Sequence, residues 1–169
     1  MKKYEFTGEV KMWLGHTLHR IRATASFGDV EDGDVGGWIE KEENLSHDGD
    51  AWVYGNAQVY GDALVYGNAQ VDGNARVYGN ARVYGDACYL NVGPLGSRGG
   101  FTTFFRTKDL DIHVSCGCFR GSIQEFSEKV RETHGDNIYA KQYMAAIEFA
   151  KTCIDLTPEK VGDAECQKI

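Results

Sequence analysis

The stretch best able to bind a ligand is Gly93–Gly100, GPLGSRGG. Its glycines let a ligand approach the backbone, and successive N–H groups can cradle an anion. Arg98 can pair with a phosphate or carboxylate. Thr102 and Thr103 add hydroxyls nearby and Arg120 adds a second guanidinium. The candidate ligand-binding set is therefore Gly96, Ser97, Arg98, Thr102, Thr103 and Arg120. The stretch carries neither the GK[ST] of a Walker loop nor a dinucleotide fingerprint. The same glycines could equally form a connector.

Other reactive residues suggest less. Cys116-Gly117-Cys118 beside His113 is half of a zinc site, but Cys88, Cys153 and Cys166 stand isolated. Cys116 as a nucleophile would need His113 or His134 as its base, at no recognisable spacing. His16 and His19 are not at alternate positions, so on a strand they face opposite sides. No metal, cofactor or catalytic residue is expected.

Bulk properties exclude further classes. The chain has 169 residues and a net charge of −7, which argues against a basic nucleic-acid footprint. No apolar run is long enough to span a bilayer, and the opening MKKYEFTGEVKMW lacks the apolar core of a signal peptide. Five cysteines without framework spacing point to a reducing, cytoplasmic setting.

The element that must position everything else is a six-residue repeat. Val recurs at 53, 59, 65, 71, 77 and 83, and Ala at 51, 57, 63, 69, 75, 81 and 87. Gly recurs at 49, 55, 61, 67, 73, 79 and 85, each followed by Asn or Asp. No helix has a period of six, whereas a short strand plus a corner does. Ala57 and Val59 share a parity and can point into one core, while Gln58 and Tyr60 point outward. The Gly-Asn and Gly-Asp pairs supply the positive φ of a tight corner. Upstream, Ile39 and Leu45 fall in the Ala slot of this phase and His47 in the Val slot, as part of an irregular capping coil.

Flanking segments read as ordinary elements. YEFTGEV and HTLHRIRA alternate like two strands. Beyond the repeat a hairpin is expected, with strands near 101–106 and 111–116. Ser122 with Glu125 forms a capping box for a helix that ends at Gly135. A second helix over about 138–154 would bury Tyr139, Tyr143, Ile147, Ala150 and Ile154. The domain reading is 1–46 for N-terminal strands and capping coil and 47–92 for the repeat. It continues with 93–156 for the glycine loop, hairpin and helices, and 157–169 for a frayed tail.

The pattern from Val53 to Gln58, an aliphatic residue with a small residue four positions later, resembles the hexapeptide-repeat left-handed parallel β-helix family. The resemblance implies a short left-handed β-helix of triangular coils; with the hairpin and two C-terminal helices read above, the expected fold is mainly β. Residues 18 apart would stack, placing Tyr60 over Tyr78, Tyr66 over Tyr84 and Gln58 over Arg76. It also implies a homotrimer. The outward tyrosines offer faces for stacking nucleobases, but the favoured reading is a ladder that shields the sheet and packs against a neighbouring subunit. Many members are acyltransferases with a histidine base, but these repeats hold no histidine between Asp48 and Tyr89.

KYEFTGE, GGWIEKEENLS and CGCFRGSIQEF together resemble uncharacterised proteins of phages and prophages. That resemblance implies a cytoplasmic, non-catalytic antagonist of host defence. It would sequester a small anionic, nucleotide-like signal at subunit junctions. Inhibition of a host defence protein by direct contact, a structural trimer and an acyltransferase are the alternatives.

Overall fold

The computed structural model describes residues 2–85 and 88–158. Strand β1 (Tyr4–Trp13) forms an antiparallel hairpin with β2 (His16–Ala23), and β2 pairs in turn with β3 (Val35–Ile39). The repeat supplies six strands of two residues each: β4 (Trp52–Val53), β5 (Gln58–Val59), β6 (Leu64–Val65), β7 (Gln70–Val71), β8 (Arg76–Val77) and β9 (Arg82–Val83). Trp52 pairs with Gln70, Gln58 with Arg76 and Leu64 with Arg82, all in parallel. The offset is 18 residues each time, so three hexads complete one coil. The Val column from Val53 to Val83 is fully buried, and Ala51 to Ala81 are buried beside it. Ala87 lies outside the described residues. Corners stack as tightly as sides: a Cβ at Gly49, whose φ is +71°, would stand 2.5 Å from the carbonyl oxygen of Gly67.

The coil before the repeat differs from the expected phase. Ile39 pairs with Val59 and Leu45 bridges to Val65, an offset of 20 residues. Ile39 and Leu45 therefore occupy the Val column, not the Ala column. Two extra residues lie between Leu45 and Val53, and His47 falls in that excursion. Its ring stacks on Tyr4 at 4.3 Å, and its Nδ1 accepts from the Lys3 backbone N–H. Asn44, fully buried, holds the turn together. Its Oδ1 accepts from the N–H groups of Glu40 and Lys41, and its Nδ2 donates to the carbonyls of Gly61 (3.0 Å) and Ala63 (2.8 Å).

Lys3 and Tyr4 close this end of the solenoid by donating to backbone carbonyls. The Lys3 ammonium reaches Gly49 and Ala51, and the Tyr4 hydroxyl reaches Glu42 and Leu45. Burial pulls the Lys3 pKa down to about 8 from 10.5. The native chain thus loses this proton before the unfolded chain does, and stability rises with pH between those two values. Lys3→Met should remove that rise. Melting curves of parent and variant at about pH 7.5 and 9.5 would show the parent gaining on the variant at the higher pH.

The other end is closed by a second sheet. Strands β10 (Tyr89–Leu95), β11 (Gly100–Arg106), β12 (Ile112–Cys116) and β13 (Phe119–Ser122) form an antiparallel meander. The expected hairpin is its centre. GPLG is not all loop, because β10 runs through Gly93 and Pro94 to Leu95. Strand alternation divides the buried aromatics between two cores. Phe105 plugs the solenoid, while Phe104 and Val114 meet the helices. The Arg76 N–H donates to Thr103 Oγ1 and the Lys108 N–H to the Asn80 carbonyl, fixing the sheet to the last coil.

Helix α1 (Ile123–His134) starts at the expected Ser122–Glu125 capping box and stops at Gly135. Helix α2 (Ile138–Cys153) follows, capped by Asn137, and buries Ile147 and Ala150. Of the expected tail, Thr157 accepts from Arg106 Nη1, and residues 159–169 lie outside the described residues.

Candidate anion-binding site

The six residues expected to bind a ligand do not converge. Gly96 sits at the β10–β11 turn, where its N–H donates to Gln142 Oε1 at 3.0 Å, so the turn is docked on α2. Ser97 and Arg98 are exposed there. Thr102 and Thr103 are buried on opposite faces of β11. Thr102 donates to Cys116 Sγ and Thr103 to Asn91 Oδ1. Arg120 shares a cross-strand row with Ser115 and Thr103 on the face turned to the solenoid. Neighbouring residues in a strand must diverge, which is why Thr102 and Thr103 cannot serve one ligand.

A different set does converge. Arg20 pairs with Trp38, Trp38 with Gln58, and Gln58 with Arg76, so one row of side chains crosses β2, β3, β5 and β8. Directly paired residues share a face, which makes this the outward face of the coil. Lys11 and Trp13, alternate residues of β1, lean over it. The Lys11 ammonium lies 4.1 Å from the Trp38 ring centre, with the Arg20 guanidinium 5.1 Å from the same ring. The Arg76 guanidinium stacks 4.3 Å from Trp13. Arg120 arrives from β13, its Nε donating to Tyr60 Oη at 2.9 Å and its guanidinium resting against Tyr78 at 5.3 Å.

Only the Tyr60–Tyr78 part of the tyrosine ladder borders this site. Tyr60 and Tyr78 stack at 5.8 Å as the 18-residue offset predicts, and Tyr66 lies 5.9 Å from Tyr84. Yet Tyr60 is buried within the single chain, beneath His16 and Arg120. Tyr78 packs edge-on against Phe105. The cover expected from a neighbouring subunit is supplied on this face by the chain's own second sheet.

Electrostatically the row is unbalanced. Lys11, Arg20, Arg76 and Arg120 have no carboxylate within ion-pair distance among the described residues, although the chain is acidic overall. Burial lowers the Lys11 pKa, and Arg20 and Arg76 add repulsion. Burial also lowers that of Arg76, with Arg120 pushing the same way.

Unmatched polar atoms gather in the same row. Among the described residues, Trp13 Nε1, Arg20 Nε, Trp38 Nε1, Arg76 Nε and Arg120 Nη2 are buried without an acceptor, and Gln58 Oε1 is buried without a donor. Each such group costs about 1–3 kcal/mol when left unmatched. A cluster of cations and orphan donors around two indoles is what an anion with a flat ring would complete.

Beside the row, His16 Nδ1 lies 2.9 Å from Glu40 Oε1, and the imidazole packs on Tyr60 at 4.8 Å. Glu40 also accepts from the Gly61 N–H at 2.7 Å, and these contacts hold its carboxyl below the usual range against the opposing effect of burial. No group of three or more potential metal ligands occurs among the described residues.

Sequence reasoning missed Lys11, Trp13, Arg20, Trp38 and Arg76. Two local signals pointed to them: the alternation of Lys11 and Trp13, and the predicted stacking of Gln58 over Arg76. What was missing was the 20-residue offset that brings Trp38 into the same row.

No match to the chain is found among the curated proteins. Residues 57–73 and 73–88 match the YdcK beta solenoid repeat. The match covers β5 to β9 and leaves out β1 to β4 and the second sheet. In its repeat region, then, this chain is similar to β-solenoid repeat proteins, and on that scaffold it carries a cation–tryptophan row.

Proposed function

We propose that the chain is a non-catalytic binder that sequesters a small anionic ligand of nucleotide type on the row from Arg20 to Arg76, with Lys11, Trp13 and Arg120 completing the site. The carrying observation is the set of buried N–H donors that lack acceptors, grouped with four cations that lack carboxylates. Phosphate oxygens would accept from Arg76 and Arg120, and the base would stack on Trp13 or Trp38. The acidic surface favours a small ligand over a long polyanion, whose affinity needs an extended basic footprint.

One chain supplies every residue of the row, so the reading requires no subunit junction and no trimer. The finer reading keeps a left-handed coil and a cytoplasmic, phage-type antagonist that withdraws a nucleotide signal from a host defence protein. Its support is the resemblance of the repeats and flanking motifs.

The test is thermal shift against mono-, di- and cyclic oligonucleotides, with nucleoside and pyrophosphate as separate halves. A ligand at about 100 times its Kd stabilises by ~2.7 kcal/mol, or roughly 5–10 °C for a chain of this size. Nucleotides should shift the melt more than either half alone. A flat response across the panel would remove the proposal.

The His16–Glu40 pair favours a second, catalytic reading. A histidine oriented by a carboxylate beside an anion site could act as a general base. The two readings part on the recovered ligand: unaltered nucleotide supports sequestration, and turnover lost in His16→Gln supports catalysis.

A further inference from the structure

A different face of the solenoid carries an interaction surface. The β6–β9 side presents Leu64, Tyr66, Arg82 and Tyr84 outward, all half-buried. Two shallow clefts, of about 440 and 310 Å³, lie on either side of Tyr66, which lines both. Their far ends differ in sign. One holds Glu42 and Glu43 and the other holds Arg82 and Lys108.

Several of these charges are uncommitted. Glu43 and Lys108 make no ion pair among the described residues. The Arg82 guanidinium donates to the carbonyls of Asp62, Asn80 and Ala81 and meets no carboxylate among the described residues.

We infer that this face binds a second copy of the chain about a two-fold axis near Tyr66. A surface acidic at one end, apolar in the middle and basic at the other is complementary to itself when rotated by half a turn. Glu43 of each copy then meets Arg82 and Lys108 of the other, so each contact is made twice, as in any isologous interface. The central Leu64 and Tyr66 meet their own counterparts, which supplies apolar burial. Two copies each carrying −7 repel at long range. Local complementarity must therefore carry the association, and this makes it salt-sensitive. The inference is independent of the anion row, which lies on another side of the coil.

Sedimentation equilibrium of the full chain tests it. A dimer is expected at micromolar concentration. It should weaken at least tenfold as salt rises from about 0.1 to 1 M, because the Debye length falls from ~10 to ~3 Å. Glu43→Lys alone and the double variant Arg82→Glu, Lys108→Glu alone should each be monomeric. Mixed one to one, they should form the dimer again, because both contacts of the mixed pair are then attractive. A parent monomer, a trimer, a dimer that persists in Glu43→Lys, or a mixture that stays monomeric would each overturn the proposal. The rescue in the mixture also shows that neither variant failed merely by misfolding.

Discussion

Asn44→Asp, which exchanges one NH2 for an oxygen, is expected to cost about 3–5 kcal/mol at neutral pH, the range for leaving a buried charge uncompensated. Two of the four Asn44 hydrogen bonds survive, since the carboxylate can still accept from the N–H groups of Glu40 and Lys41. The other two become oxygen–oxygen contacts with the Gly61 and Ala63 carbonyls, at a site with no exposure. That is a large part of the ~5–15 kcal/mol a domain usually has.

The pH dependence of the variant follows from the same geometry. Burial and the facing carbonyls raise the pKa of Asp at this position above its unfolded value of ~3.9. The native variant then holds its proton where the unfolded chain has lost it, so its deficit grows as pH rises through that window. Urea unfolding at about pH 5 and pH 8 should show the smaller loss at the lower pH. A variant within ~1 kcal/mol of the parent at pH 8 would mean that Asn44 does not hold the irregular coil.

Arg76→Met should act with opposite signs on stability and on binding. The methionine keeps an apolar stem against Trp13 and removes a charge that repels Lys11 and Arg120. It also removes a buried Nε–H with no acceptor. The ligand-free protein should gain about 1 kcal/mol, or roughly 2–4 °C in Tm. A charge-assisted hydrogen bond to phosphate contributes ~1.5–3 kcal/mol, so nucleotide affinity should fall by about 10- to 100-fold. Arg120→Met should weaken binding in the same sense, with a smaller gain in stability because Arg120 Nε already serves Tyr60. A fall in the ligand-free Tm of Arg76→Met would make this arginine a structural strut.

How much of this was legible in the sequence depends on how local each signal is. The Val and Ala columns follow from a period of six. The first C-terminal helix follows from Ser122 and Glu125, three residues apart. The hairpin at 101–116 follows from alternation.

The cation row draws on residues 11, 13, 20, 38, 58, 76 and 120, joined by pairing offsets of 18 and 20 residues and by an antiparallel hairpin. The excursion between Leu45 and Val53 shifts the register by two. Two residues preserve strand parity, so Ile39 and Leu45 still read as inward while their column is misassigned. Glycine richness and a lone arginine single out Gly96–Arg98 in the sequence. There the backbone is already engaged by α2, at Gln142. Of the expected site only Arg120 belongs to the row, with Thr103 beside it.

Tryptophan fluorescence under nucleotide titration tests the central claim most directly, because Trp13 and Trp38 lie in the row and Trp52 is buried in the core. Saturable quenching is predicted, with one ligand bound per chain. The response should be sharply reduced in Trp13→Phe or Trp38→Phe and lost in Arg76→Met at the same ligand concentration. Quenching unchanged by Arg76→Met, or no quenching by any nucleotide that stabilises the fold, would contradict the assignment of the row as the binding site.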